Sequence, residues 1–345
     1  MQAVVFNNPG DIRLEDRRIP EPGQGEVRLR VVLAGICSTD LHIVQGHFTI
    51  RTPRVLGHEI VGAVDALGPG VAGHWLGQTC GVSPARFCGN CAPCRSGAPE
   101  LCANFECLGN TQDGGFAEYT LVRCDQLVPL GELPAEAAVW LEPLACVLHA
   151  IQVIAPAAQT PILILGAGTF GKLMVQALRA TSGAHLSIVD PNPEKVKQAL
   201  ALGAQAGWTI PRSGPAPDVD YALQHWAPDG LQAIIDTTGV PDAIQRAIQW
   251  AGPKARIHLF GVFDPAASVT LQPSLIFTKE LTLSGTAGMT PASFRAAESL
   301  LRERRLDLEA LVAAVIDLYA VPQVLEGRTR FPAGKVLVRP GRKGG

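Results

Sequence analysis

The sequence carries almost no excess charge and has no long apolar segment. Its 345 residues include 29 lysines and arginines against 31 acidic residues, which gives a formal net charge of −2. A chain so near neutrality has no electrostatic reason to bind nucleic acid or an anionic membrane. No run approaches the roughly 18 consecutive apolar residues that a membrane-spanning helix needs. We therefore expect neither nucleic acid nor a membrane as a partner.

The N-terminal segment lacks the features of a secretory signal. Residues 1–6 lead directly into a charged stretch from Asp11 to Asp16, without a basic n-region, an apolar h-region or a cleavage site. We therefore expect a cytoplasmic protein. The nine cysteines then favour thiolate chemistry over a disulfide framework, and their odd number fits poorly with complete pairing.

The length and the order of the patterns predict two domains. Residues 1–145 contain short alternating apolar runs separated by glycine and proline, which is typical of a twisted, β-barrel-like domain. In residues 146–285, buried strands alternate with amphipathic helices, the βαβ pattern of a parallel sheet. Residues 286–345 contain a helix that starts at Thr290-Pro291 and a strand at Lys335–Arg339. We expect this last segment to return to the first domain and complete it.

A histidine and a carboxylate stand together at the head of an apolar run in Gly57-His58-Glu59. Most adjacent His-Glu pairs are surface residues, so this pair needs further ligands to be convincing. Cys37 ends an earlier strand and adds a thiolate, and a mixed set of sulfur, nitrogen and oxygen ligands is typical of a catalytic zinc site. Glu142 is a fourth candidate ligand. Its alternative role is that of an acid stabilised at the start of a helix.

Two polar residues follow Cys37 closely. Thr39 offers a hydroxyl group and His42 an imidazole, and such a chain can carry a proton from a metal-bound alcohol to solvent. Without that context, Thr39 is only a strand-forming residue and His42 a loop histidine. The hypothesis assigns catalytic roles to Thr39, His42 and Glu59.

A second cysteine motif has the spacing of a structural metal site. Four cysteines crowd into one short loop: Cys88, Cys91, Cys94 and Cys102. Four thiolates complete a tetrahedral zinc shell and leave no open position, so the site would be structural. The alternatives are an iron–sulfur cluster or unrelated buried thiols. Cys80, Cys107 and Cys124 fall outside the spacing and are interpreted as ordinary small residues.

A glycine-rich turn follows the buried apolar run at residues 162–165 and opens a helix. Its residues are Gly166, Gly168, Thr169, Phe170 and Gly171, and the next strand ends at Asp190, 19 residues after Gly171. Strand, glycines, helix and acid in this order predict a dinucleotide-binding turn, with the pyrophosphate at the helix N-terminus and the acid on the ribose. An acid at this position would repel a 2′-phosphate, so NAD is favoured over NADP. The alternative is a glycine turn that serves packing alone.

Together these motifs resemble the zinc-dependent medium-chain alcohol dehydrogenase family over nearly the whole chain. The residues that carry the resemblance are Cys37–His42, Gly57–Gly62, the lobe at 88–102, Asp113–Tyr119, and Gly166–Gly171 with Asp190. The resemblance implies an α/β protein with a GroES-like β-barrel catalytic domain and a Rossmann domain with a doubly wound parallel sheet. It also implies hydride transfer between an alcohol and NAD, and a homodimer or homotetramer.

Within that family, the segment Glu142-Pro143-Leu144-Ala145 resembles the sorbitol and polyol dehydrogenase branch. This resemblance implies that Cys37, His58, Glu59 and Glu142 surround the catalytic zinc, with either glutamate as the direct ligand. Polyol enzymes often carry tyrosine at the position of Ile43, so a smaller secondary alcohol or a cyclitol remains an alternative substrate.

The function that we predict is a zinc-dependent oxidoreductase that transfers a hydride between a secondary alcohol or polyol and NAD. It would hold one catalytic and one structural zinc ion per chain. The alternative function is a zinc-stabilised dinucleotide-binding protein without turnover. A zinc-independent quinone reductase of the same fold is disfavoured because those relatives generally lack both ligand sets.

Overall fold

The computed structural model describes residues 1–341 and divides into two compact units. The first unit comprises Met1–Ala145, Met289–Arg304 and residues 308–341. The second comprises Cys146–Gly288 with the short segment Arg305–Asp307. Among the described residues, no helix combines the length and the apolar character needed to cross a membrane.

Short strands dominate the first unit, and strands alternate with helices in the second. The strands are β1 Gln2–Asn8, β2 Asp11–Asp16, β3 Glu26–Gly35, β4 Arg54–Val55, β5 Glu59–Leu67, β6 Thr79–Val82, β7 Ala85–Arg86, β8 Glu106–Cys107, β9 Tyr119–Arg123, β10 Leu127–Pro129, β11 Pro161–Leu165, β12 His185–Asp190, β13 Ala206–Thr209, β14 Leu231–Asp236, β15 Ala251–Leu259, β16 Thr282–Gly285, β17 Val312–Ile316 and β18 Lys335–Val338. The α-helices are α1 Ser38–Val44, α2 Ala92–Arg95, α3 Ala135–Ala138, α4 Leu141–Ile154, α5 Thr169–Thr181, α6 Pro193–Ala201, α7 Pro217–Trp226, α8 Pro241–Trp250, α9 Pro273–Lys279, α10 Pro291–Arg302 and α11 Val321–Leu325.

Strand β3 is the centre of the larger sheet in the first unit. The sheet has the order β10-β6-β5-β3-β18-β17, and β9 also pairs with β3. The alternation along β3 buries Val27, Leu29 and Val31, as its sequence predicts, because successive side chains of a strand point to opposite faces. The C-terminal strand is confirmed: β18 pairs antiparallel with β3 and parallel with β17.

One strand begins later than its sequence predicts. The apolar pattern predicts a strand from Gly115, but β9 begins at Tyr119. The preceding residues pair with the loop before β5 instead: the amide of Gly114 donates to the carbonyl of Val55 and that of Gly115 to the carbonyl of Gly57, both at 2.8 Å. A Cβ on Gly114 would stand 2.1 Å from the Gly57 oxygen. Glycine is therefore required for this close approach.

The second unit is built on a six-stranded parallel sheet of order β13-β12-β11-β14-β15-β16. Strand β11 is apolar and buried throughout residues 162–165, as a central strand covered on both faces requires. The chain proceeds outward from β11 to β13 and then crosses to β14 on the other side of β11. This arrangement is a doubly wound sheet, and the switch in direction lies at the carboxyl ends of β11 and β14, where such sheets bind ligands.

Candidate active site

Three metal-capable side chains converge at one end of the β3–β5 pair. Gly35 near the end of β3 pairs with Glu59 at the start of β5, so Cys37 after one strand lies beside His58 before the other. Ligand atoms of Cys37, His58 and Glu59 all lie within 4.8 Å of one another, and all three residues are buried. The antiparallel register therefore assembles the cluster that the sequence motifs predict.

The donors in this cluster suit zinc. A thiolate, an imidazole and a carboxylate are the three ligand types found in catalytic zinc sites. The Oε2 atom of Glu59 is buried and has no hydrogen-bond partner within residues 1–341, so a donor is available for a cation. Cys37 and His58 would hold the ion, together with a glutamate that is either Glu59 or Glu142.

The buried carboxylate of Asp40 joins the two ligand-bearing loops. Its Oδ2 accepts a hydrogen bond from the amide of Cys37 at 2.9 Å, and its Oδ1 accepts one from the amide of Gly57 at 3.3 Å. The same Oδ1 lies 3.7 Å from Nδ1 of His58. Burial alone would lower the pKa of His58, but Asp40 and Cys37 overcome that effect and raise it well above its usual value. A carboxylate on the far nitrogen is the usual way in which proteins orient a metal-binding imidazole.

A buried lysine holds the other carboxylate of the site. Lys335 at the start of β18 donates from Nζ to Oε1 of Glu59 at 2.5 Å and to the carbonyl of Ile36 at 3.2 Å. Its ammonium also lies 5.7 Å from the centre of the Trp140 ring. Burial by itself would lower the pKa of Lys335, but the neighbouring Glu59 and Cys37 raise it. The contact with Glu59 therefore stabilises the charged form of Lys335.

The structure places the remaining candidates of the first unit at different distances from the cluster. Oγ1 of Thr39 lies 3.7 Å from Sγ of Cys37. His42 is one helical turn further along α1, and its Nδ1 lies 3.1 Å from Nδ1 of His47. Glu142 occupies the first turn of α4 and stands close enough to raise the pKa of His58. It is not one of the residues within 4.8 Å of one another, so its role as a ligand stays a prediction.

The four cysteines of the second motif form a separate cluster. One sulfur from each of Cys88, Cys91, Cys94 and Cys102 lies within 4.8 Å of the others. The backbone amide of Asn90 contributes most to lowering the pKa of Cys88 to about 6. Four sulfurs at this separation fit a tetrahedral zinc ion with no open coordination position.

Cys107 does not belong to either cluster. Its Sγ donates to the carbonyl of Leu108 at 3.3 Å, and burial raises the pKa of its thiol to about 12. A thiol that remains protonated is a poor metal ligand.

The glycine turn of the second unit has the geometry of a phosphate site. A Cβ on Gly171 would stand 1.9 Å from the carbonyl oxygen of Gly166, so helix α5 reaches strand β11 only with glycine there. Within residues 1–341, no heavy atom outside the adjoining backbone lies within 4 Å of the Cβ position at Gly168, which leaves the backbone open to a ligand. Thr169 and Phe170 begin α5 and are half-buried. The first turn of that helix presents amide groups that suit a pyrophosphate.

Asp190 lies beside this turn. Its Oδ2 accepts a hydrogen bond from the amide of Ala167 at 2.8 Å, and its Oδ1 accepts one from the amide of Asn192 at 2.8 Å. Each carboxylate oxygen has a second lone pair for a ribose hydroxyl. The residues of the second unit therefore fit a nicotinamide dinucleotide.

Sequence reasoning missed two residues that shape the site. Asp40 carries one local signal, an acid at the third position of a helix that follows a candidate ligand. Lys335 carries another, a single charge in the otherwise apolar strand Lys335–Val338. Neither signal shows which residue the charge would meet, because both contacts depend on strand pairing.

The features of the two units together are typical of an oxidoreductase. They are a zinc-type cluster, a four-cysteine lobe, and a dinucleotide turn on a doubly wound sheet. Two family models match the chain: the alcohol dehydrogenase GroES-like domain over residues 23–132 and the zinc-binding dehydrogenase domain over residues 170–303. The chain belongs to the zinc-dependent medium-chain alcohol dehydrogenase family. It is a zinc-dependent oxidoreductase that acts on alcohols with a nicotinamide dinucleotide, as the sequence predicts.

Relatives of this chain include enzymes of polyol metabolism. It is 31% identical to galactitol 1-phosphate 5-dehydrogenase of Escherichia coli, over 99% of this chain and 100% of the relative. It is 27% identical to D-arabinitol dehydrogenase 1 of Uromyces fabae, over 99% of this chain and 97% of the relative. The structure of a zinc-binding dehydrogenase from Sinorhizobium meliloti, bound to NADP, matches with a TM-score of 0.89 and 28% identity, over 98% and 99% of the two chains.

Replacing Asp40 with asparagine keeps the size of the side chain but removes its charge. We expect zinc at the Cys37–His58 cluster to be released to a chelator about 10- to 100-fold more readily, because His58 loses its orienting carboxylate. Zinc at the four cysteines should be unaffected. A colorimetric chelator measures the release, and Asp65→Asn, which loosens a surface pair with Arg28, is the control. Equal retention in Asp40→Asn and the wild type would contradict the role given to Asp40.

Proposed function

We propose that this protein is an NAD-dependent dehydrogenase that oxidises a secondary hydroxyl group of a polyol to a ketone, and that it holds one catalytic and one structural zinc ion. The observation that carries the proposal is the buried Cys37–His58–Glu59 cluster, with the Thr39 hydroxyl beside it. The names of the relatives, which act on galactitol 1-phosphate and D-arabinitol, support a polyol.

The cofactors supply the redox chemistry: zinc makes an alcohol more acidic, much as it lowers the pKa of bound water, and the dinucleotide takes up the hydride. The protein's own side chains handle the proton and the geometry. Thr39 accepts the hydroxyl proton and passes it to His42, three residues along the same helical face. Asp40 holds the imidazole of His58 in one orientation, and Lys335 holds the side chain of Glu59 in place through their buried pair.

Glu59 and Glu142 remain the two candidates for the third protein ligand. Two observations favour Glu59 as the ligand. It lies within the cluster, and its Oε2 atom is buried without a hydrogen-bond partner among residues 1–341. The Lys335 ion pair acts against direct ligation because it engages Oε1 of the same carboxylate. Glu142 in the first turn of α4 is the alternative, as in the branch that the sequence resembles.

Cys37→Ser and His58→Ala should each abolish alcohol oxidation, because each removes a ligand of the catalytic ion, while dinucleotide binding persists. Elemental analysis should then find one zinc ion per chain instead of two. The matched control is Cys124→Ser, a half-buried thiol outside both clusters. Activity would be followed by NADH absorbance with a panel of secondary alcohols, polyols and cyclitols. A wild type that holds one zinc ion and shows no turnover would instead support a dinucleotide-binding protein.

The position of Asp190 beside the glycine turn supports NAD as the natural cofactor, since a carboxylate there repels a 2′-phosphate. Asp190→Asn removes the charge and keeps an acceptor oxygen for one of the two backbone amides. We expect the ratio of kcat/KM with NADP to that with NAD to rise about tenfold, which corresponds to about 1.4 kcal/mol of lost discrimination. Steady-state kinetics with both dinucleotides measure the ratio. A wild type that already prefers NADP would contradict the assignment.

We further propose a homodimer or homotetramer that uses the free edge of strand β16. This strand pairs only with β15 on one side of the described sheet, and an open edge is a template for pairing with a second copy. Phe277 on the preceding helix α9 is 83% exposed, an unusual exposure for a large apolar side chain.

Phe277→Asp should therefore weaken the assembly and lower the molar mass measured by analytical ultracentrifugation. The control is Tyr221→Asp, whose aromatic side chain is 65% exposed on helix α7, the helix that precedes the interior strand β14. A monomeric wild type, or an unchanged mass in Phe277→Asp, would exclude this interface.

A cytoplasmic location accords with the cysteine chemistry. All nine cysteines lie within the described residues, and none of them forms a disulfide bond. Thiolate ligands persist in reducing compartments, where disulfides are rare. Fractionation of cells that produce the protein would test the location.

A further inference from the structure

Two imidazole rings meet at the end of helix α1. The Nδ1 atoms of His42 and His47 are 3.1 Å apart, and the ring centroids are separated by 5.4 Å with a tilt of 40°. We propose that His47 is the second imidazole of the proton path, which takes the proton from His42 and releases it to water. This inference rests on the function proposed above, and it extends that function by one residue.

The backbone fixes this pair of rings. Helix α1 ends at Val44, and Gly46 follows with a φ of +81°, a left-handed conformation that favours glycine. The amide of Gly46 donates to the carbonyl of Ile43 at 3.0 Å, and the amide of His47 donates to the carbonyl of His42 at 2.9 Å. The chain therefore reverses over the last helical turn and returns the ring of His47 to that of His42.

A third aromatic residue confines the inner ring. Phe48 follows His47 and contacts His42 edge to face, with ring centroids 5.7 Å apart and an angle of 62°. Its amide also approaches the carbonyl of His42, at 3.4 Å. His42 is consequently packed between helix α1 and the segment that follows it. This packing holds Nδ1 of His42 against Nδ1 of His47.

Exposure to solvent increases along the proposed path. Cys37 is buried, Thr39 and His42 are half-buried, and His47 is exposed. Thr39 and His42 are three residues apart on α1, so their side chains share one face of the helix. A proton that leaves the cluster by this route meets water freely only at His47.

The contact between Nδ1 of His42 and Nδ1 of His47 determines which protons move in the transfer. A hydrogen bond needs one donor and one acceptor, so only one of the two Nδ1 atoms carries the shared proton at any time. When His42 gains a proton on Nε2, it transfers the proton on its Nδ1 to Nδ1 of His47. His47 then loses its Nε2 proton to water. One proton enters at His42 and one leaves from His47, while the electron pair of the alcohol C–H bond leaves with the hydride.

Removal of the outer imidazole tests the proposal. His47→Asn should lower kcat in weak buffer by about tenfold, less than the roughly 10²-fold expected for loss of a direct general base, since water can still accept the proton. Dinucleotide affinity and zinc content should be unchanged. Added imidazole at constant pH should restore the rate. The control is His74→Asn, which should change nothing. His74 is another exposed histidine of the same unit, and its ring centroid lies 5.2 Å from that of Trp75.

A double-mutant cycle distinguishes a relay from a packing role. In the His42→Asn background, His47→Asn should have no further effect on kcat, because both variants interrupt one path. Independent effects of the two substitutions would overturn the inference, as would a full rate in His47→Asn or a loss that imidazole does not restore. The activity of the wild type distinguishes failure of the proposed function from failure of the role given to His47. An inactive wild type would contradict both. An active wild type whose rate His47→Asn matches would contradict only the role of His47.

Discussion

The carboxylate of Asp40 is the group on which the arrangement of the Cys37–His58–Glu59 cluster depends. It accepts hydrogen bonds from the amides of Cys37 and Gly57 and faces the imidazole of His58, so one buried group joins two loops. A buried carboxylate without such partners would be very unfavourable. The loops are consequently held where their ligand atoms meet. Gly57 contributes through a φ of +91°, and the ring of Phe116 occupies the space that a side chain there would need.

The ion pair between Lys335 and Glu59 places a second constraint on the site. The two side chains are almost completely buried, and their residues are 276 positions apart in the chain. Loss of one partner of such a pair leaves an uncompensated charge, which is strongly destabilising. The C-terminal strand β18 therefore does more than complete a sheet. It supplies the cation that holds Glu59, one of the proposed metal ligands.

The two halves of the chemistry differ in how locally the chain encodes them. The dinucleotide turn and Asp190 belong to one βαβ unit, so a short stretch of sequence contains strand, glycines, helix and acid in order. The zinc-type cluster instead requires the antiparallel register of β3 and β5, which brings Cys37 to His58. The four-cysteine lobe resembles the dinucleotide turn in this respect, since its ligands lie within a single loop.

The sequence alone was sufficient for features whose partners are close along the chain: the cysteine spacing, the glycine turn, the buried strand β11 and the alternation of β3. Tertiary structure alone decided which polar side chains meet. Asp40 with His58, Lys335 with Glu59, and His47 with His42 depend on strand register or on the turn at Gly46. The physical reason is that periodicity specifies which face of an element is buried, whereas a contact between elements is specified by their pairing. The pairing of strands depends on packing over the whole unit, and a local sequence pattern does not specify that packing.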